Sequence, residues 1–201
     1  MKKQSVIKTK NLKLYPAPMQ ENRIWNDPWK ITLKAEDTTC IGEAGFMGPV
    51  VDYEVKLKCR IQPEYENQEY ITELLQAMTE WAFGNQDVYF VEIEIEQEQM
   101  EAYEGALEKC GFRYDAEGEK GTSYILESAL TNWMSIYMLF GMSIGMAIGN
   151  LSDNIGIGLS LGICIGMAIG SGIDYYAKKE RDKIRQSRQN KKDKKQAFGS
   201  R

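Results

Sequence analysis

The chain has 201 residues and a formal net charge of −4, enough for one ordinary domain and something small besides. It contains no His, which excludes His-based catalysis and His-ligated metal. Its four cysteines (Cys40, Cys59, Cys110, Cys164) are scattered with no CxxC pair, so they read as reduced, packed thiols and exclude a disulfide frame or a zinc site.

Residues 1–8 form a basic, frayed start with no signal peptide visible. TKNLKLYP (9–16) puts Leu12 and Leu14 at strand spacing and stops at Pro16. About a dozen residues (17–28) lead to the next strand, WKITLKA, with room at most for a short helix over 19–25. TTCIGEAGF pairs back across a turn at 36–38. In VDYEVKLKCRI (51–61), Val51, Tyr53, Val55, Leu57, Cys59 and Ile61 alternate with Asp52, Glu54, Lys56, Lys58 and Arg60, the period of a half-buried strand. The loop QPEYENQE leads to a helix over 70–83, with Ile71, Leu74, Leu75, Met78 and Trp81 on one side and a stop at Gly84 and Asn85. VYFVEIEIE (88–96) alternates as a strand, MEAYEGALEKC is a short helix ended by Gly111, and FRYDAEGEKGTSYILE is a hairpin turning around 118–121.

The runs IGEAGFMG (41–48), YEVKLKCRIQPEY (53–65), YITE, WAF and LEKCGF (107–112) stand in an order that resembles GNAT N-acetyltransferases. The likeness is to the subfamily that acetylates ribosomal protein N-termini and similar amino groups, and it runs from about Ile7 to Leu126. It implies an α/β fold, a GNAT-like mixed sheet with flanking helices. The first two family helices are missing, because too few residues separate the first two strands. It also implies acetyl-CoA as cofactor if the protein is active. In the family, the splayed fourth strand pairs with the pantetheine arm, which makes Cys59 and Ile61 cofactor-binding positions. The loop after it, of pattern R/Q-x-x-G-x-G/A, wraps the pyrophosphate with backbone N–H groups at a helix N-terminus. Relatives read PEYRGKGYATEA there. In this chain Glu66 stands for the Arg, Asn67 and Glu69 for glycines, Gln68 for the Lys and Ile71 for the small Ala, with Tyr70 among them. Two carboxylates then face a pyrophosphate of like sign, at order a few kcal/mol each for an effective dielectric near 20. Glu also suits a helix N-terminus for ordinary reasons. Relatives place Asn and Ser at the start of the next helix, and here these are Met100 and Tyr103. A one-residue insertion would align Glu94 with the family's strand-five Glu, which makes Glu94 the candidate general base beside the alternative of solvated strand decoration.

Two uncharged stretches follow, 133–151 and 155–173, separated by Ser152, Asp153 and Asn154. GMSIGMAIGN (141–150) and GICIGMAIGS (162–171) are an internal repeat. Glycines recur every four residues at 141, 145 and 149 and at 158, 162, 166 and 170; a second small-residue row runs Gly156, Ser160, Cys164, Ala168 and Gly172. Each stretch spans ~28 Å as a helix, near the ~30 Å hydrocarbon core, and glycine every fourth residue lets helices approach closely in lipid. The expectation is a transmembrane hairpin of glycine-zipper type over 129–177, after a GNAT-like domain over 1–128. Trp133, Tyr137, Tyr175 and Tyr176 would share one interface. Residues 178–201 hold 11 Lys+Arg against 3 Asp+Glu, net +8, and the other 177 residues hold 14 against 26, net −12. An acidic body argues against nucleic acid, and the basic tail places both termini and the N-terminal domain in the cytoplasm of a two-span cell-membrane protein. The same tail can touch anionic lipid or simply set topology.

Three readings stay open. The first is a membrane-tethered N-acyltransferase-like protein of low or unusual activity. The second is an inactive GNAT pseudoenzyme binding a protein partner. The third is a membrane homo-oligomer built through the glycine faces and regulated by its N-terminal domain.

Overall fold

The computed structural model describes residues 6–16, 28–35, 39–84, 88–117 and 121–199, the last five as backbone only. The chain divides into two units, 1–128 and 129–201. The segment 17–27, where the family's first two helices or a short replacement would stand, lies outside the described residues, as do the turn at 36–38 and the hairpin tip at 118–120.

The first unit is a mixed sheet with two helices, the α/β class expected. Its elements are β1 (Ile7–Lys8), β2 (Leu12–Tyr15), β3 (Trp29–Leu33), β4 (Cys40–Val51), β5 (Glu54–Ile61), α1 (Gln68–Phe83), β6 (Phe90–Glu96), α2 (Met100–Cys110), β7 (Arg113–Glu117) and β8 (Gly121–Glu127). The strand order is β1-β2-β3-β4-β5-β6-β8-β7. β5 and β6 pair in parallel, and the other described pairs are antiparallel. A parallel pair needs a crossover, which α1 supplies. Alternation sends Leu12, Leu14, Trp29, Ile31, Phe46, Val55, Leu57, Val91 and Ile93 into one core with Ile71, Leu74, Leu75 and Met78 of α1 and Ala106 and Leu107 of α2. Trp81 closes that core at the side, stacked on Phe46 at 5.5 Å and edge-on to Trp29 at 5.2 Å. Gly111 ends α2 with φ 81, a left-handed cap that favours glycine.

Three sequence readings change. Ile7 and Lys8 are strand, paired with Leu14 and Lys13, so the start is not frayed there. The predicted strand over 51–61 is interrupted: Val51 ends β4, and Asp52 and Tyr53 form a tight turn with φ 54 and 65. A two-residue hairpin turn needs positive φ at both positions, and the alternating pattern runs through it by chance. Val51 and Tyr53 are accordingly 58% and 40% exposed instead of inward. α1 begins at Gln68, two residues before the apolar period suggests, because Asn67 caps it.

The second unit is a helical hairpin, α3 (Trp133–Leu151) against α4 (Ile155–Gly199). The apolar windows are 17% and 22% buried, so most of their Ile, Leu, Met and Phe side chains face outward. Both helices are long and apolar enough to span a bilayer. The helices meet along the glycines. A Cβ on Gly141 would collide with the Gly162 carbonyl, one on Gly145 with the Gly158 carbonyl, and one on Gly166 with the Tyr137 carbonyl. The second row faces away from this seam, with Gly156, Ser160, Cys164 and Ala168 exposed. At the open end the Trp133 and Met134 N–H groups donate to the two Asp174 carboxylate oxygens at 2.9 and 2.9 Å, and Ser135 N–H donates to Asn132 Oδ1 at 3.1 Å. These caps satisfy first-turn amides that have no intrahelical acceptor. Nothing breaks α4 after the apolar stretch, and the basic residues continue the same helix.

Gly162→Leu with Gly166→Leu is expected to part α3 from α4 without preventing insertion, each lost contact being worth ~1–2 kcal/mol. Electron-spin distances between labels at Leu139 and Ile165 in bilayers should lengthen and broaden. An unchanged distance distribution would contradict the packing role of these glycines.

Candidate functional site

β5 and β6 pair only over 54–57 and 90–93. Beyond Leu57 and Ile93 the strands part: β5 continues on β4 as far as Ile61, and β6 continues on β8 as far as Glu96. A parallel pair that opens in this way leaves the β6-facing backbone of 58–61 without a strand partner. Inward-facing side chains at this opening are Cys59 and Ile61 on β5 and Ile95 on β6, the positions the resemblance gives to the acyl-CoA arm for the first two.

The opening is occupied from within. Tyr103 on α2 is 0% exposed, and Cys59 Sγ donates to its hydroxyl at 3.9 Å. The Tyr103 hydroxyl therefore stands against β5 at Cys59 and near the Ile61 backbone, where β6 no longer pairs. Burial pushes the Cys59 thiol up from about 9 to about 12, opposed by the Tyr103 hydroxyl and reinforced by the Glu66 charge. Cys59 keeps some residue surface, but its thiol is enclosed. Burial also drives the Tyr103 phenol well above its ordinary range, with Cys59 and Glu66 adding to the shift. Both groups are therefore neutral at physiological pH. Glu66 Oε1 is enclosed beside them, without a hydrogen-bond partner among the described residues.

The loop residues have become structural. Asn67 Oδ1 accepts from the Tyr70 N–H at 2.9 Å, so one of the donors at the α1 N-terminus is taken by the protein itself. Glu69 accepts from Lys10 Nζ at 2.8 Å and from Asn11 Nδ2 at 3.1 Å. Lys10 holds the Glu69 carboxyl below its ordinary range, and Glu69 raises Lys10 in return. One turn on, Glu73 accepts from Thr9 Oγ1 at 2.6 Å and from the Asn11 backbone N–H at 2.9 Å. The α1 N-terminus thus grips the β1–β2 turn. The Gln68 side chain lies over Gly105 of α2 so closely that a Cβ there would collide with its amide nitrogen. Tyr70 is half-buried, and Ile71 lies fully in the core.

Glu94 is exposed on the face of β6 opposite to Ile93 and Ile95, and so opposite to Cys59 and Tyr103. Glu66, Cys59 and Tyr103 come together; Glu94 does not join them. Sequence reasoning noticed Tyr103 as a departure from serine but not that it fills the gap, and it missed Lys10, Asn11 and Gly105. An aromatic residue in place of serine was the available signal.

Residues 5–113 match the family described as acetyltransferase (GNAT) domain. No curated protein matches the chain. Among solved structures, the GNAT-family acetyltransferase from Bacillus anthracis is 15% identical, covers 61% of this chain and 98% of its own, and has a TM-score of 0.49. The N-terminal domain of ribosomal-protein-alanine acetyltransferase from Clostridium acetobutylicum is 16% identical, with 61% and 95% covered and a TM-score of 0.46. An aminoglycoside acetyltransferase solved with paromomycin and acetyl-CoA is 16% identical, with 50% and 64% covered and a TM-score of 0.42.

The Cys59 shift has a consequence for stability. A thiol whose folded value, about 12, lies above its ordinary 9 stabilises the fold fully below pH 9 and loses that contribution as pH rises towards 12. The loss between pH 9 and 11 is about 2–3 kcal/mol. Urea midpoints of the first unit, measured in the full chain, should fall over that interval and fall less in Cys59→Ala. Equal slopes for the two proteins would show that Cys59 ionises freely in the fold.

Proposed function

The chain belongs to the GNAT acetyltransferase family, and from that premise we propose that it is a membrane-tethered GNAT domain that has lost acyl-CoA turnover and serves as a protein-binding module. The observation that carries this reading is the commitment of the α1 N-terminus to internal partners. Where the family needs a cation, two glycines and free N–H donors, this chain has Glu66, Asn67 and Glu69, with Asn67 capping the helix and Glu69 paired to Lys10. A pyrophosphate would have to displace the cap and enter beside two carboxylates, an unfavourable exchange on both counts. Of the two carboxylates, Glu66 has an enclosed oxygen with no hydrogen-bond donor to offset it. Glu94, on the opposite face, offers the opening no base.

The related aminoglycoside enzyme is solved with acetyl-CoA, and acetyl-CoA is the cofactor this chain would take if its loop and gap admitted one. The reading as an active acyltransferase therefore stands or falls with cofactor binding. The reading as a glycine-zipper oligomer has less support, because the row from Gly158 to Gly170 is used within the hairpin.

Membrane tethering rests on the hairpin. Two helices of mainly outward-facing Ile, Leu, Met and Phe form an apolar surface far larger than a water-soluble unit carries, and a bilayer satisfies it. Trp133 and Tyr137 lie at the end where Asp174 closes the hairpin, next to Tyr175 and Tyr176, which suits one aromatic belt. The Lys and Arg residues after Tyr176 and their absence from 152–154 favour cytoplasmic termini.

Calorimetry on the full chain in lipid nanodiscs should detect no acetyl-CoA binding tighter than ~1 mM, about −4 kcal/mol. Micromolar affinity would overturn the loss of cofactor.

A cysteine at Asp153, in a background without the four native cysteines, should react with an impermeant maleimide from outside intact cells, and one at Ser187 should not. Labelling at Ser187 would reverse the topology.

A further inference from the structure

We propose that Tyr103 and Gln68 are built-in occupants of the gap between β5 and β6 and of the adjoining α1–α2 seam, and that they close this passage to an extended ligand independently of the phosphate loop. The inference rests on the reading above that this gap is the former acyl-CoA slot, and it adds a second, separate barrier to it.

Three observations converge. The sheet itself opens beyond Leu57 and Ile93, leaving the β6 side of 58–61 without a strand. A thin, extended ligand could lie along that backbone and use its N–H and C=O groups, as an added strand would. Tyr103 is fully buried, with its hydroxyl against Cys59 and the Ile61 backbone, on the part of β5 that β6 leaves unpaired. One turn from the α2 N-terminus, Gly105 has no side chain, and the Gln68 side chain from the first residue of α1 fills that space. The two fillers come from different elements. Tyr103 stands at the strands; Gln68, itself exposed, lies over Gly105 between the helices. The phenol also suits the site chemically: it carries an apolar ring into the same buried core as Ile61 and Ile95 and presents one hydroxyl to a thiol.

The consequence is that repairing the loop alone does not restore binding. A ligand must evict Tyr103, whose ring has nowhere exposed to go without leaving the core.

The test uses the full chain in nanodiscs. N-ethylmaleimide modification at pH 8, located by peptide mass spectrometry, reads access to Cys59, with Cys110 as the internal reference. Tyr103→Ser should raise Cys59 modification about tenfold or more over the native chain, the factor that ~1.4 kcal/mol of lost protection gives. Tyr103→Phe, which keeps the ring, should remain protected. If Tyr103→Ser unfolds, seen as an equal rise at Cys110, Tyr103→Leu decides by the same measurement, since it keeps apolar volume and withdraws the tip. Equal Cys59 rates in native and folded opened variants overturn the proposal. In a second arm, CoA is titrated into the chain carrying Glu66→Arg, Asn67→Gly and Glu69→Gly. No binding is expected until Tyr103→Ser and Gln68→Gly are added. Binding with Tyr103 and Gln68 intact overturns the plug and leaves the loop reading standing. Binding by the native chain overturns the loop reading itself.

Discussion

The candidate site depends on the parting of β5 and β6. Parallel strands joined by a crossover helix can pair along their whole length, yet here only 54–57 and 90–93 do so. β5 then follows β4, and β6 follows β8, so each strand keeps one neighbour and loses the other. The interior of a sheet cannot stay open to the core without something lying in the opening, since unmatched backbone and a void are both unfavourable. In this chain Tyr103 lies fully buried at that opening, with its hydroxyl against Cys59. The substitution of a buried aromatic residue for a small polar one is thus an answer to a demand the fold itself makes.

The hairpin is governed by a comparable rule of close approach. Lipid offers helices no hydrophobic reason to associate, so they must gain from backbone proximity. Gly141, Gly145, Gly158, Gly162 and Gly166 supply it by presenting no Cβ where the two backbones meet. The first-turn amides of α3 have no intrahelical acceptor, and Asp174 and Asn132 take them. Asp174 is the residue at which α4 passes from uncharged to charged sequence. One carboxylate therefore ends the apolar stretch and fixes the end of α3 against it.

The two periodicities made most of this readable from the sequence. Alternation placed Val55, Leu57 and Ile61 inward, the helical period placed Ile71, Leu74 and Met78, and four-residue glycine spacing located the hairpin seam. Alternation failed at Asp52 and Tyr53, because a two-residue turn does not interrupt a period of two and neither residue is glycine. The loop positions were legible as departures from a pattern: Glu66, Asn67, Gln68 and Glu69 could be seen to lack what phosphate needs. What replaced the phosphate was not legible. Lys10 and Asn11 lie some 58 or 59 residues away in the chain from Glu69, and their approach is a product of the β1–β2 turn closing on α1. Tyr103 was likewise visible as a change of residue type, while its role required knowing that the strand after Leu57 had an empty side.

The changed loop also explains why the fold survives it. A helix N-terminus is electropositive and carries unpaired N–H donors, whatever binds there. A phosphate meets that demand from outside. In this chain Asn67 accepts from Tyr70, Glu69 brings negative charge to the first turn, and Lys10 neutralises Glu69 in turn. The end of α1 is satisfied without ligand, and Ile71, Leu74 and Leu75 hold the rest of the helix in the core regardless. The absence of glycines at 67 and 69 therefore does not leave the α1 N-terminus unsatisfied, because the chain supplies the partners itself. The same holds at Tyr103 in the gap. At both neighbouring positions the partners described are the chain's own: Asn67 and Lys10 at the α1 N-terminus, and Cys59 for the Tyr103 hydroxyl.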